Sequence, residues 1–351
     1  MTPTPVSKGL LAALIGALAF GTSGALVKPL LEAGWSPAAA VTARALIAGV
    51  ILLPLALVSL RGRWPSLWRG RWRILGMGLV GVAATQLSYF AAIARIPVST
   101  ALLVEFLAPL ILVGVAWATT RRMPRPTVLL GSLLAVGGLV LVIGPGALQV
   151  VDPLGLLFAF AAAIGCAVYF FVAARPSHDL PPVALAAFGL LVGGVALALL
   201  GTVRVLPFSV ALVDLPLFGF IAPWWVPLLI VALVSTSLAY VAGITASGLL
   251  GSRLASFVGL LEVVFASLFA WMLLGEQLSP LQLVGGLLIL GGIAAVRADG
   301  SPAEVELEAL AAPALTPHPH SVVVPVVAVV PVVVPVSAAP GGRPVASRTP
   351  E

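Results

Sequence analysis

Three ionisable side chains lie deep in otherwise apolar stretches of this sequence: Arg44 in PAAAVTARALIAG, Glu105 in ALLVEFLAPL and Glu262 in GLLEVVFASL. A charge at the centre of a bilayer costs about 2.5–3.5 kcal/mol on insertion scales, so each one needs a partner or a task. A carboxylate facing a dry cavity can exchange a proton or hold a substrate amine; alternatively, Glu105 and Arg44 neutralise one another. Glu262 has no basic residue in its own stretch past Arg253, and when protonated it can donate a hydrogen bond to a neighbouring helix. Around these charges stand two matching polar groups, Thr85, Gln86, Ser88 and Tyr89 in TQLSY, and Ser235, Thr236, Ser237 and Tyr240 in STSLAY. Any one serine or threonine can bond its own backbone and any tyrosine can simply pack, but as a cluster they favour a central cavity that binds substrate or protons.

The elements that position these residues are membrane helices. The chain has 351 residues, 61% hydrophobic and 9% charged, with mean hydropathy +1.18. Soluble domains are about one quarter charged, so this composition cannot cover a globule with polar surface. With roughly 20 apolar residues per crossing, ten spans are predicted at about 8–30, 37–59, 73–95, 98–119, 126–144, 154–174, 182–201, 223–247, 252–274 and 278–297. Pro and Gly punctuate the short links. The longest link, about 202–222, carries an amphipathic LPLFGFIAPWW run whose Trp224 and Trp225 are placed at the membrane interface.

The net charge of +6 does not indicate a nucleic-acid partner, because the basic residues sit in the links. With the N-terminus inside, Lys8, Arg61, Arg63, Arg69, Arg71, Arg73, Arg121, Arg122, Arg125, Arg175, Arg253 and Arg297 fall on the inner side. Only Lys28, Arg95 and Arg204 fall outside, so both termini are predicted to be cytoplasmic. In that frame Arg44 and Glu105 both lie about 10 Å below the outer edge, at 1.5 Å per residue, which leaves an ion pair geometrically open. No cleavable leader is read at the N-terminus, and residues 298–351 read as a disordered, Pro/Val-rich cytoplasmic tail.

The halves 8–144 and 154–297 read as copies. The two T-x-L-x-Y motifs match, and an offset of 154 residues pairs Trp117 with Trp271, Gly131 with Gly285, and Gly137-Gly138 with Gly291-Gly292. Five spans is an odd number, so the second copy enters from the opposite face. The expected fold is an all-α integral membrane protein of two inverted five-helix repeats, the plan of secondary transporters with a site near the midplane.

Enzyme chemistry lacks parts. GMGLVG at 76–81 formally matches G-x-G-x-x-G but lies inside a span, where glycines serve close helix packing. No phosphate loop exists, and the histidines His178, His318 and His320 and all four aspartates lie outside the spans. Cys166 is the sole cysteine, which rules out an intrachain disulfide or a thiolate metal cluster. No cofactor and no metal are expected.

The sequence over about 8–297 resembles the EamA family of the drug/metabolite transporter superfamily, through its ten spans, PAAAVTARALIAG and LLGEQLSPLQLVGGLLILGG. VSTALLVEFLAPL is similar to the E-F-x-x-P-L pattern of threonine/homoserine exporter-type members, here Glu105, Phe106, Pro109 and Leu110. The resemblance implies an inner-membrane carrier that exports small metabolites, often amino acids, through a cavity lined by the third, fourth, eighth and ninth spans. The chain departs from the family's pattern twice. WATTRRMP at 117–124 leaves Glu276 without a counterpart, and LLEVV lacks the proline usual after the glutamate, which predicts a straighter ninth helix. With no nucleotide site, proton exchange is the expected coupling. Two rivals stay open. One is a multidrug or nucleotide-type carrier of the same fold, although the predicted site has few aromatics to suit a flat cation. The other is a non-transporting scaffold whose basic links hold a partner or anionic lipid.

Overall fold

The computed structural model describes residues 4–93, 95–96, 98–144, 152–175, 180–217, 219–274 and 279–298. His178, Glu276 and the tail from 299 onward, with His318 and His320, lie outside the described residues. Among the described residues ten helices are long and apolar enough to cross a membrane: Pro5–Glu32, Pro37–Ser59, Arg71–Ala92, Ala101–Thr120, Pro126–Ile143, Pro153–Ala174, Pro182–Thr202, Trp225–Leu250, Ser252–Leu273 and Pro280–Ala298. These are the first to tenth spans below.

Local chemistry sets where they begin. Proline opens the first, second, fifth, sixth and seventh spans, where its missing N–H would have lacked a helical partner in any case. Ser36 Oγ accepts from the Ala39 N–H at 3.2 Å and Asp152 Oδ1 from the Leu154 N–H at 3.1 Å, capping the second and sixth spans. The link between the seventh and eighth spans departs from a purely helical reading. It forms an antiparallel pair, β1 (Leu215–Leu217) and β2 (Phe220–Ala222), with Leu217 opposite Phe220. Leu215 is buried with Leu30, Trp35 and Leu228, and the Trp35 indole donates to the Ala211 carbonyl at 2.7 Å. Trp225 is exposed at this end, whereas Trp224 packs on Trp35 with ring centroids 5.8 Å apart.

Small residues bring the helices together, as expected where lipid removes the hydrophobic drive between them. The main pairings are fifth with tenth, second with seventh, first with eighth and ninth, sixth with third and fourth, and third with seventh alongside eighth with second. Exchanging the first five spans for the last five maps this set onto itself. The contacts are reciprocal in detail. A Cβ on Gly131 would stand 2.8 Å from the Gly292 carbonyl, and one on Gly285 would stand 2.6 Å from the Gly138 carbonyl. Gly49 meets Leu191 just as Gly194 meets Leu46. Trp117 and its offset match Trp271 are equally exposed, at 49% and 50%.

Adjacent glycines give a controlled test of this packing. A Cβ on Gly138 would lie 2.8 Å from the Ile289 backbone nitrogen, whereas one on Gly137 meets nothing within 4 Å. Gly138→Ala is expected to cost about 1–3 kcal/mol of stability, in line with overpacking elsewhere, and Gly137→Ala to cost nothing measurable. Unfolding midpoints in mixed detergent micelles would read the difference.

Candidate functional site

The two carboxylates stand at interruptions of their spans. The helix Val98–Glu105 ends at Glu105, Phe106 and Leu107 form a turn, and Ala108–Thr120 resumes with Pro109 in its first turn. The cause lies in the sequence. The N–H that would bond the Glu105 carbonyl belongs to residue 109, a proline, so the ladder fails there. The Leu107 N–H bonds back to Val104 at 3.1 Å, a tightened turn.

The ninth span is interrupted at the corresponding place, so the missing proline does not leave it one continuous helix. Ser252–Gly259 stops, Leu260 intervenes, and Leu261–Leu274 resumes with Glu262 in its first turn. No proline is involved. Leu260 and Val263 donate to carbonyls three residues back, at 3.1 and 3.2 Å, and a Cβ on Gly259 would lie 3.0 Å from the Phe170 ring. Gly259 admits that ring beside the break.

The third and eighth spans contain π-helical segments, Gly76–Ala84 and Val231–Leu238. Such wide turns mark functional regions in helices. The Thr85 and Thr236 hydroxyls both donate to the carbonyl five residues earlier, Val80 at 2.8 Å and Val231 at 3.0 Å. The T-x-L-x-Y motif therefore begins both times where the ladder has widened, and Tyr89 and Tyr240 follow.

The third, fourth, eighth and ninth spans, with the first, second and sixth, line an open cavity of about 420 Å³. Its wall runs from Leu31 and Pro37, beside the first link, to Ala13, Ala246 and Ala255. Of the residues singled out from the sequence, Arg44, Glu105, Glu262, Thr85, Gln86, Tyr89 and Tyr240 line it. Ser88, Ser235, Thr236 and Ser237 do not. Ser235 shares a hydrogen bond with the Thr22 hydroxyl at 2.7 Å, and Ser237 donates to the Ala232 carbonyl at 2.8 Å. The Ser235 bond ties the π segment to the first span, and the Ser237 bond lies within the segment.

Arg44 donates from Nη1 to Ser23 Oγ at 2.8 Å. Among the described residues no ion pair within 4.0 Å joins it to Glu105. One cation and two carboxylates thus face a common space without closing on each other, which leaves each available to a ligand of opposite charge.

The expectation of few aromatics is overturned. The wall includes Phe20, Phe90, Phe106 and Phe170 together with all three tyrosines of the chain. Phe20, Tyr240, Tyr169 and Phe170 form a continuous edge-to-face series at 5.3, 5.6 and 5.1 Å between centroids. Tyr169, not singled out from the sequence, is buried, and its hydroxyl has no hydrogen-bond partner. Its signal was a polar-tipped ring at the head of YFF in a span otherwise free of polar groups except Cys166. Ser23, also missed, is legible only through its bond to Arg44.

The model of the EamA-like transporter family matches residues 7–144 and again 153–298. The chain is 25% identical over 305 residues to an uncharacterized inner membrane transporter of Salmonella typhimurium, YicL, covering 83% of this chain and 96% of that one. It is 26% identical over 289 residues to an uncharacterized transporter of Bacillus subtilis, YwfM, covering 81% and 92%. A solved crystal structure of a protein superposes with a TM-score of 0.65 at 22% identity, over 83% of this chain and 97% of its own, a likeness of fold.

Proposed function

The chain belongs to the EamA-like transporter family, and from that premise we propose that this multi-pass membrane transporter exports a small zwitterionic metabolite, an amino acid or a close relative, in exchange for protons. It is a carrier and not an enzyme. The observation that carries the substrate class is the meeting of Arg44, Glu105 and Glu262 in one cavity. A zwitterion brings a carboxylate for the guanidinium and an amine for the carboxylates. The two interrupted helices support the same reading, since carriers place broken helices at midplane sites.

Alternating access would proceed by the halves 8–144 and 154–297 rocking as inverted repeats. The reciprocal glycine contacts of the fifth and tenth spans support that motion. The inner membrane is the proposed location, with both termini cytoplasmic, from the arginine bias of the links and from the Salmonella relative's name. Threonine and homoserine are the first substrates to try, given the E-F-x-x-P-L likeness of the fourth span.

The aromatic wall favours a second reading, a carrier of flat amphipathic amines. Counterflow in liposomes, with threonine, homoserine, aromatic amino acids and quaternary aromatic amines, with and without a pH gradient, tests both. Gradient-sensitive flux of amino acids is expected. Flux restricted to the quaternary amines would replace the first reading by the second, and no flux across the panel would remove both.

A further inference from the structure

The segment RGRWPSLWRGRWR, residues 61–73, joins the second span to the first turn of the third and holds five arginines, three tryptophans and no acidic residue. It folds into two short helices, Pro65–Arg69 and Arg71–Leu75. Trp64, Trp68 and Trp72 recur every fourth residue and are 50%, 72% and 70% exposed, while Ser66 and Ile74 are buried beneath them. Large rings this exposed, in a link that joins two spans, stand at headgroup level, where tryptophan is favoured.

The charges share that level. The Arg71 guanidinium lies over the Trp68 ring at 4.7 Å and the Trp72 ring at 5.4 Å. Arg61, Arg63 and Arg69 are exposed. Behind them Arg73 donates Nη2 to the Val172 carbonyl at 3.1 Å, near the end of the sixth span, while its Nε and Nη1 are buried without a hydrogen-bond partner. Arg175, which follows that span, has its Nε in the same condition and its guanidinium 4.7 Å over the Phe171 ring. Guanidinium donors buried without a protein acceptor are open to the oxygens of an anion, for which their charge is suited.

We propose that this link, with Arg73 and Arg175 behind it, is a binding site for anionic phospholipid. The guanidiniums take the phosphodiester, for which their planar forks are suited. The tryptophan rings seat among the glycerol and upper acyl carbons. Lipid is favoured over an acidic protein because apolar rings alternate with the charges on a surface that already lies at the bilayer edge. The proposal stands on the membrane setting alone and is independent of what the carrier transports.

The test uses the full chain in vesicles of equal parts phosphatidylglycerol and phosphatidylcholine, with one lipid or the other carrying brominated chains that quench tryptophan. Brominated phosphatidylglycerol is expected to quench more strongly than brominated phosphatidylcholine. The excess should fall in W64F/W68F/W72F, which removes the patch's own three reporters and leaves the five other tryptophans. In R61Q/R63Q/R69Q/R71Q the preference should fall by about fivefold for each arginine replaced. Undiminished quenching by brominated phosphatidylcholine would show that this variant still folds and inserts. Equal quenching by both lipids in the unaltered protein, or an excess that survives the four glutamines, would overturn the proposal; the former would assign the patch to an acidic protein partner.

Discussion

Glu105→Gln is expected to abolish counterflow while leaving the protein folded. Glutamine keeps the shape at the end of the Val98–Glu105 helix, and the break itself is enforced by Pro109, which the substitution leaves alone. No ion pair with Arg44 is lost, so no buried cation is stranded. What disappears is a charge on the cavity wall, which on the proposed reading meets the substrate amine. Removing one member of a desolvated, hydrogen-bonded charge pair costs about 2–5 kcal/mol, a loss of at least about thirtyfold in transport. If Glu105 is the group that exchanges the proton, any flux that persists should lose its dependence on pH. Full activity of the variant between about pH 6 and 8 would sink the role assigned to Glu105. Loss of expression without a change in specific flux would instead assign Glu105 to the fold.

Much of this arrangement was legible in the sequence, for reasons that differ by residue. The ten spans follow from length and hydropathy, since a bilayer leaves few alternatives to a helix. Arg44, Glu105 and Glu262 stood out because charge is rare in an apolar run, and all three face the cavity. The fourth-span break could be read from Pro109; the ninth-span break could not, because no proline marks it and the Phe170 ring beside Gly259 comes from another span. The aromatic wall was hidden for a related reason. In a soluble protein apolar periodicity separates inside from outside, but in lipid both sides are apolar and the periodicity fades. Phe20 and Phe170 therefore look like their lipid-facing neighbours. Small residues marked the helix contacts better, as at Gly131 and Gly138. The serines misled in the opposite sense. Ser235 and Ser237 have the polarity of a site and the hydrogen bonds of a scaffold.

Arg44 carries the second large expectation. Its guanidinium donates one hydrogen bond, from Nη1 to Ser23, and the side chain lines the cavity with further donors in its fork. If it receives a substrate carboxylate, Arg44→Gln should reduce transport of a zwitterion by about thirtyfold or more, by the same desolvated-pair arithmetic that applies to Glu105. Arg44→Lys should recover little of that, since an ammonium offers a point charge and not a planar pair of donors. The decisive readout is selectivity. The unaltered carrier should reject a decarboxylated amine analogue of its substrate, because such a ligand leaves the buried guanidinium unpaired, and the glutamine variant should lose that rejection. Ser23→Ala should weaken transport modestly, by a single hydrogen bond worth about 0.5–1.5 kcal/mol, and leave the preference for the carboxylate in place. The pairing of Arg44 with Glu105 gives the opposite pattern. Each single neutral substitution would then impair folding, and Arg44→Gln combined with Glu105→Gln would restore both expression and flux. A carrier that reads a zwitterion by its two ends cannot be rescued in this way, because the double variant has removed one receptor for each end.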